Sequence, residues 1–359
     1  MKILRYILLL PFSLLYGLTV FLRNCCYDYG IFKTYRFHQK VISVGNISVG
    51  GTGKTPHTEY LTRLLSDSHR LAILSRGYKR KTKGFILADE HSYAPDIGDE
   101  PLQYRKKFKD IVVAVDEKRV HGIEEILRLD PKTEVFLLDD AYQHRSVYRG
   151  MNILITDYNH LYCHDHLLPG GTLREWRSGS QRADLIIISK TPPNLPDKTQ
   201  EAIAKKLNPL ARQKVFFTGI QHGAPCLFNG KQSALPDKST HVLALCGIGN
   251  PSPFLAYCRD RFTLSDDLIF RDHHAYSISD IQQIISRFEK LSVENKAIIT
   301  TEKDIMRLYL PELKNALADI PVFYLPIEVC FQGNGKEEFD NEILSYVRSD
   351  QRDERISST

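Results

Sequence analysis

Four glycines, a lysine and a threonine lie close together in the stretch G-N-I-S-V-G-G-T-G-K-T, residues 45 to 55. Glycine allows backbone N–H groups to converge on phosphate oxygens, because it adopts conformations that other residues avoid. In such a loop the ammonium group of Lys54 would reach the β- and γ-phosphates of a nucleotide, and the hydroxyl group of Thr55 would hold Mg²⁺. The usual pattern G-x-x-x-x-G-K-[ST] is present except at its first position, where this chain has Ser48.

The segments on either side of this loop support a phosphate-binding interpretation. Val41 to Val44 predicts a short buried strand, and the amphipathic segment after Pro56 predicts a helix. The N-terminus of that helix would add the positive end of its dipole to the site. The alternative is a glycine-rich turn that precedes a lysine by chance. We predict ATP and Mg²⁺ as cofactors, with the nucleotide bound by Ser48, Val49, Gly50, Gly51, Thr52, Gly53, Lys54 and Thr55.

Two adjacent carboxylates, Asp139 and Asp140, are the second candidate for chemistry. They end the stretch E-V-F-L-L-D-D, residues 134 to 140, which predicts an apolar strand. Phosphate-loop enzymes place their Mg²⁺ carboxylate at the end of such a strand. Adjacent residues of an extended strand face opposite ways, so one of the two is expected to bind the metal and the other to lie behind it.

A turn-rich stretch at residues 167 to 176 contributes a further charged pair, Arg174 and Glu175. Arg174 could neutralise charge that develops on a transferred phosphoryl group, and Glu175 could hold or orient the metal. Cys163, His164 and His166 lie just before this stretch. They permit a metal cluster or, as we prefer, a polar loop, since no partner pair of ligands occurs elsewhere.

Polar residues also follow other predicted strands. S-R-G-Y-K-R, residues 75 to 80, comes after the strand predicted at Leu71 to Leu74, at the kind of edge where open α/β sheets bind ligands. Asp99 and Glu100, in G-D-E-P, could serve chemistry or could cap the helix that follows.

Strands alternate with helical segments over most of the chain, which predicts a mostly parallel sheet covered by helices on both faces. The predicted fold class is therefore α/β, of the P-loop NTPase type, with a second, smaller α/β domain. A Gly-x-Gly at residues 247 to 249 is weak evidence for a nucleotide contact, and Asn229-Gly230 predicts a hairpin. The expected units are an N-terminal helix 1–28, a P-loop core domain 29–220, a hairpin linker 221–240, a smaller domain 241–335, and a last helix and polar tail 336–359.

The N-terminus has an uncharged run of 17 residues, Tyr6 to Leu22, interrupted by Pro11 and Gly17. It is marginal for a membrane-spanning helix, which needs about 20 apolar residues. A cleaved signal peptide, a buried core helix and a helix that lies in the membrane interface are the other interpretations. We favour the last, because basic residues flank the run and would contact anionic headgroups.

Charge and cysteine content limit the classes of function. Residues 1 to 40 hold six basic residues and one acidic residue, which accounts for the whole net charge of +5. A nucleic-acid binder would more often carry a basic stripe on its folded domain, so we expect no nucleic-acid partner. The seven cysteines are scattered without a C-x-x-C spacing, which is typical of free thiols in a reducing compartment.

Several motifs together resemble one family, the tetraacyldisaccharide 4'-kinases of lipid A biosynthesis, over nearly the whole chain. The motifs are G-N-I-S-V-G-G-T-G-K-T-P at 45–56, S-R-G-Y-K-R at 75–80, G-D-E-P at 98–101, L-D-D-A-Y-Q-H at 138–144, L-P-G-G-T-L-R-E at 168–175, R-D-H-H at 271–274 and T-T-E-K-D at 300–304. The Ser48 position agrees with the family. The chain departs from it at Ala141-Tyr142, where Gly-Phe is common, and at Trp176, where Pro is expected.

The resemblance implies transfer of the ATP γ-phosphate to the 4'-hydroxyl group of a tetraacylated glucosamine disaccharide 1-phosphate. It also implies a peripheral enzyme, expected to be a monomer, on the cytoplasmic face of a Gram-negative inner membrane. It gives Asp99 the role of base and His273 that of its partner from the second domain; without the family, His273 would read as a loop histidine before a helix. Expected substrate contacts are Arg76, Tyr78, Glu100, Arg119, Gln143 and His144.

A different class of function uses the same sheet architecture. In an ATPase switch or assembly protein, hydrolysis would change the binding of a partner at the membrane. Such a protein needs neither a carboxylate that activates an acceptor nor a lipid-facing segment. The apolar, basic N-terminus and the G-D-E-P loop therefore favour the kinase.

Overall fold

A computed structural model describes residues 2–228 and 234–349, which form two α/β units. The larger unit is built on a sheet whose strands run, from edge to edge, β14 (Ile327–Phe331), β8 (Lys214–His222), β7 (Leu185–Ser189), β6 (Met151–Asp157), β1 (Lys40–Gly45), β5 (Val135–Asp139), β2 (Leu71–Ser75), β4 (Val112–Val115) and β3 (Ile86–Leu87). All pairs are parallel except those of the edge strands β14 and β3. The predicted α/β class is confirmed.

The parallel direction has one consequence for function. β1 lies between β5 and β6, with Val44 in register with Asp139 and with Ile153. The carboxyl ends of the central strands therefore meet along one edge. The segments that follow these ends are the ones in which the sequence predicted chemistry.

Helices cover both faces of the larger sheet. They are α1 (Lys2–Asp28), α2 (Lys54–Leu65), α3 (Ala94–Ile97), α4 (Asp99–Lys107), α5 (Arg119–Leu129), α6 (Asp197–Leu207) and α11 (Gly335–Arg348). Leu61 of α2 and Phe339 of α11 pack with Ile42 in one core cluster. Ile123 of α5 packs with Val41 on the opposite face. The alternation of strand side chains thus fills a core on each side, as a strand buried on both faces requires.

The smaller unit has a sheet with the order β11 (Thr263–Ile269), β10 (His241–Cys246), β12 (Lys296–Thr301), β13 (Val322–Leu325) and β9 (Cys226–Leu227). Its helices are α7 (Ser252–Arg261), α8 (Ile278–Glu289), α9 (Glu302–Leu308) and α10 (Pro311–Ala316). Only β9 is antiparallel to its neighbour. The carboxyl edge of this sheet carries the loop with residues 271–274 and the direct passage from β12 to α9 at residues 300–304.

The expected domain boundaries are wrong at two points. Cys226–Leu227, placed in the hairpin linker 221–240, pairs with β13 of the smaller sheet. Ile327–Phe331, placed in the smaller domain 241–335, pairs with β8 of the larger sheet. Only Pro326 separates β13 from β14, so the chain passes from one sheet to the other within a single extended run, which composition does not reveal. The hairpin predicted at Asn229-Gly230 and the polar tail after residue 349 lie outside the described residues.

The N-terminal helix α1 continues through both Pro11 and Gly17, so neither residue interrupts it. One side of α1 packs on the segment 167–176. The Ser13 hydroxyl group donates to the Leu167 carbonyl oxygen at 3.1 Å, and the Trp176 indole N–H donates to the Gly17 carbonyl oxygen at 2.9 Å. A Cβ atom at Gly17 would lie 2.7 Å from the Trp176 ring, so glycine is required for this close approach.

The other side of α1 presents large apolar side chains, each 52 to 66% exposed: Leu8, Phe12, Leu14, Leu15, Leu18, Phe21 and Leu22. The alternative of a buried core helix is therefore wrong. Residues Leu8–Asp28 are long and apolar enough to cross a membrane. A helix that packs along one side on its own protein and exposes the other is, however, typical of a helix that lies in a membrane surface.

Candidate active site

The glycine-rich loop after β1 is held from both of its ends. Gly50 and Gly53 have φ angles of 113° and 87°, in the left-handed region that favours glycine. Gly53 precedes the first residue of α2, Lys54. Val49 donates its backbone N–H to the Thr172 carbonyl oxygen at 2.8 Å, which ties the loop to the segment that carries Arg174.

Charged groups from three segments meet beside this loop. The Lys54 ammonium group lies 3.5 Å from an Asp140 carboxylate oxygen, and the Arg174 guanidinium group donates to the same oxygen at 3.1 Å. Burial favours the neutral form of Asp140, but the two cations outweigh it and lower the pKa of this carboxyl group. The three predicted residues are therefore together, and Asp140 is ionised at neutral pH.

Asp139 is in a different environment, although it is the next residue. Its side chain is buried, and its Oδ1 atom has no hydrogen-bond partner among the residues that the structure describes. Burial, and then the charge of Asp140, raise the pKa of Asp139 to about 7, against the opposing effect of Lys54. Mg²⁺ prefers oxygen ligands, and the two consecutive carboxylates supply them. Asp139 and Asp140 therefore fit Mg²⁺ by the chemistry of their oxygen atoms, as does the hydroxyl group of Thr55, which follows the Asp140 partner Lys54 on α2.

Glu175 is engaged elsewhere. It is buried, pairs with Arg182 at 2.6 Å and accepts hydrogen bonds from Gln143 at 2.8 Å and Asn24 at 3.4 Å. These contacts connect α1 with the segment that carries Arg174. They favour a positioning role for Glu175 over the metal ligation that the sequence suggested.

Three of the predicted substrate contacts, Arg119, Gln143 and His144, are buried or half-buried in the segments around the carboxylate pair. Arg119, the first residue of α5, is buried and donates to the backbone oxygens of Asp116 and Asp139. Burial, and then Arg119 and Arg76, lower the pKa of His144 to about 3, so its imidazole ring is neutral. Gln143 donates to the Asn46 carbonyl oxygen at 2.9 Å as well as to Glu175. Arg76 and Tyr78 are exposed at the rim.

The two units meet at Asp99. His273 of the smaller unit places its Nδ1 atom 3.2 Å from Asp99 Oδ2, and Arg307 donates to the same oxygen at 2.8 Å. Lys303 lies 3.2 Å from His273 Nε2 and pairs with Glu100 at 3.0 Å. An ammonium group can only donate, so the hydrogen-bond network assigns the proton of a neutral His273 to Nδ1, which donates to Asp99.

Asp99 is not the helix cap that one interpretation suggested. Gly98 is the N-cap of α4, and Asp99 is the first helical residue, with its carboxylate directed at the smaller unit. Burial favours its neutral form, but the hydrogen bond from His273 and the charge of Arg307 outweigh burial and lower the pKa of Asp99. His273 has a φ angle of 58°, in the left-handed region that few residues other than glycine adopt.

Arg307 is a residue of this site that the sequence reasoning missed. It is buried, donates to the Gly247 carbonyl oxygen at 3.0 Å and pairs with Asp304 at 3.0 Å. Asp304 in turn accepts the Gly247 N–H at 3.0 Å. The Gly-x-Gly at 247–249 thus helps to anchor Arg307. The available signal was helical spacing, because Arg307 lies one turn after Lys303 on the same face of α9.

Comparison with known proteins agrees with this arrangement. The family model for LpxK, tetraacyldisaccharide-1-P 4'-kinase, matches residues 5–348. The chain belongs to this family. Lipid A 4'-kinase is therefore its function, and the ATPase switch is not favoured.

Similar proteins cover almost the full length. The tetraacyldisaccharide 4'-kinase of Flavobacterium johnsoniae is 46% identical over 354 residues, which are 97% of this chain and 98% of that protein. The one from Bacteroides thetaiotaomicron is 43% identical over 97% of this chain and 95% of its own length. The solved structure of LpxK from Aquifex aeolicus in complex with ATP superposes with a TM-score of 0.73 at 31% identity and covers 96% of this chain and 99% of that one.

The two departures from the LpxK family pattern both have structural roles here. Trp176 packs on Gly17 of α1, as described above. Tyr142 is buried, and its hydroxyl group donates to the Gly179 carbonyl oxygen at 2.7 Å. Neither of these hydrogen bonds involves Lys54, Asp140 or Arg174. The departures therefore leave the charged groups in place.

Proposed function

We propose that the cleft between the two units transfers the γ-phosphate of ATP to the 4'-hydroxyl group of tetraacyldisaccharide 1-phosphate. Residues 48–55 would bind the phosphates, as in a phosphate-binding loop. The LpxK structure with ATP supports this assignment by its likeness over nearly the whole chain. The observation that carries the proposal is the contact of Asp99 with His273 across the two units, because it holds an ionised carboxylate that could accept the proton of an acceptor hydroxyl group.

The charged cluster suits the electrostatic part of this reaction. Phosphoryl transfer depends mainly on positioning and on neutralisation of charge at the phosphoryl oxygens. Lys54 and Arg174 are the cations for that role. Mg²⁺, held by Thr55, Asp139 and Asp140, would supply further positive charge at the phosphates.

Asp99 would act on the acceptor. His273 and Arg307 both contact its Oδ2 atom, so Oδ1 would accept the proton of the sugar hydroxyl group. The pKa of Asp99 is lowered, so its carboxylate remains ionised and able to accept a proton at neutral pH. His273 stabilises this ionised form, because its Nδ1–H donates to the carboxylate, and it would also orient Asp99 toward the acceptor.

The helix α1 would attach the enzyme to the cytoplasmic face of the inner membrane without crossing it. Its packing on residues 167–176 fixes the exposed apolar face relative to Arg174, because the Tyr16 hydroxyl group donates to the Arg174 carbonyl oxygen at 2.7 Å. An acylated substrate could then enter the cleft from the membrane.

Replacement of Leu15, which is 65% exposed on α1, by glutamate should weaken binding to the membrane. A charge in the apolar face opposes insertion into the interface. Sedimentation with anionic phospholipid vesicles should show a several-fold loss of bound protein, with ATP affinity unchanged. Ala202→Glu on the exposed side of α6 is the charge-matched control. Equal binding of Leu15→Glu and wild type would argue against an interfacial helix, and protease-accessible tags on both sides of the membrane would show a span.

The proposed reaction is tested directly by transfer of radiolabelled phosphate. The expected product is a labelled disaccharide 1,4'-bisphosphate, separated by thin-layer chromatography. ATP turnover should also depend on the acylated disaccharide. Turnover at the same rate without lipid, and no labelled lipid, would contradict the kinase and favour the switch protein.

A further inference from the structure

Side chains hold the carbonyl oxygens of three consecutive residues in the glycine-rich loop. Lys190 donates to the Gly51 carbonyl oxygen, and the buried Ser189 hydroxyl group donates to the Thr52 carbonyl oxygen at 2.7 Å. The Nδ1 atom of His57 lies 2.7 Å from the Gly53 carbonyl oxygen. Ser189 is the last residue of β7, and Lys190 follows it. His57 lies in the first turn of α2.

The hydrogen bonds of His57 agree with this role. A carbonyl oxygen can only accept, so Nδ1 carries the proton and Nε2 accepts from the Thr218 hydroxyl group at 3.0 Å. The ring is buried, and burial lowers the pKa of His57 to about 4, although the bond to Gly53 opposes the shift. His57 is therefore a neutral imidazole with both nitrogens engaged, which fixes its orientation.

Lys190 is also placed by its surroundings. Its ammonium group pairs with Asp157 at the end of β6, at 2.7 Å. Its φ angle is 58°. In the described part of the chain, the residues with positive φ other than glycine and asparagine are Lys79, Asp140, Lys190 and His273. Two of these belong to the candidate active site, and backbone strain of this kind occurs mainly where surrounding structure enforces it.

The direction of the carbonyl groups matters for a phosphate-binding loop. The carbonyl oxygen of one residue and the N–H of the next point to opposite sides of the planar trans peptide. Bonds that hold the Thr52 and Gly53 oxygens on one side therefore turn the N–H groups of Gly53 and Lys54 to the other side. Phosphate oxygens bind to such convergent N–H groups.

We infer that Lys190, Ser189 and His57 are positioning residues that hold the glycine-rich loop in the form that accepts nucleotide phosphates. The inference rests on the proposed binding of ATP by residues 48–55. The hydrogen bonds of the three residues go to the loop and its supports, and none goes to Asp99 or His273. Their loss should therefore weaken nucleotide binding and leave binding of the disaccharide lipid unchanged.

The test compares Lys190→Met, Ser189→Ala and Asp157→Asn with wild type in the full-length protein in detergent. Methionine keeps the length and apolar stem of lysine and removes the ammonium group. Calorimetric titration with a non-hydrolysable ATP analogue and Mg²⁺ should give a Kd raised roughly 10-fold for Lys190→Met and for Ser189→Ala, which is the usual effect of one lost hydrogen bond from a charged or buried donor. KM for the lipid and the thermal midpoint should stay within error. Lys198→Met, an exposed lysine on α6, is the matched control.

Asp157→Asn adds a second comparison, because it removes the negative charge that pairs with Lys190 and changes no residue of the loop. It should raise Kd less than Lys190→Met, and the double variant should bind no worse than Lys190→Met alone. If wild type binds the analogue and Kd is unchanged in both Lys190→Met and Ser189→Ala, the inference is overturned. The proposed nucleotide site is then unaffected. A rise in lipid KM equal to the rise in nucleotide Kd, or a lowered thermal midpoint, would also overturn it by indicating general damage. Failure of wild type to bind the analogue would contradict the proposed nucleotide site itself.

Discussion

Replacement of Lys54 by alanine should lower kcat by roughly 10²- to 10³-fold, the usual cost of one preorganised positive group at a reacting centre. The ammonium group lies at the start of α2, 3.5 Å from Asp140. There it can stabilise negative charge that develops on the phosphoryl oxygens. An interaction that is stronger in the transition state than in the ground state changes kcat more than KM. Steady-state phosphate transfer to the disaccharide 1-phosphate measures both constants.

The fold should survive this change. Lys54 is partly exposed, and Arg174 remains beside Asp140 after the substitution. Circular dichroism and the thermal midpoint should therefore match wild type, and Lys198→Ala should keep full activity as a control for loss of a lysine. Near-normal kcat in Lys54→Ala would remove the basis for a phosphate-binding loop at residues 48–55.

Local patterns in the sequence predicted the elements that carry the charged cluster. The strand predicted at Leu71 to Leu74 is observed with one further residue, as Leu71–Ser75, and the strand before the glycine-rich loop is one residue longer at each end. Apolar runs that end in glycine or aspartate are strong signals of parallel strands, because a parallel sheet buries its strands and exposes their carboxyl ends. The positions of Lys54, Asp139 and Asp140 followed from these signals.

Contacts between distant segments could not be predicted in the same way. Arg307 reaches Asp99 across 208 positions, and its helical spacing from Lys303 indicates the face on which it lies but not the partner that it contacts. The pairing of β14 with β8 depends on the path of the chain between the two sheets. Glu175 looked like a metal ligand beside Arg174, but Arg182 neutralises it in the fold. Each of these outcomes is decided by tertiary packing, which local periodicity does not contain.

The contact of Asp99 with His273 leads to the second large effect. We expect Asp99→Asn and His273→Asn each to lower kcat by roughly 10²- to 10⁴-fold, the range of acid–base catalysis. Asparagine retains the size of Asp99 and an oxygen that accepts from Arg307, so the buried guanidinium group keeps a partner. It also tolerates the left-handed backbone at His273, where the φ angle is 58°. Affinity for ATP should change much less than kcat in both variants.

The double variant decides whether the two residues act together. Groups that serve one step are strongly non-additive, so Asp99→Asn with His273→Asn should be little worse than the poorer single variant. Asp110→Asn, an exposed carboxylate beyond the end of α4, is the control for charge loss and should be unaffected. If the two losses multiply, the residues work independently, and the 3.2 Å contact between Asp99 and His273 serves only to join the units. If Asp99→Asn keeps full kcat, the base is another carboxylate, and Asp139 or Asp140 is the next candidate because both lie beside the charged cluster that would bind the transferred phosphate.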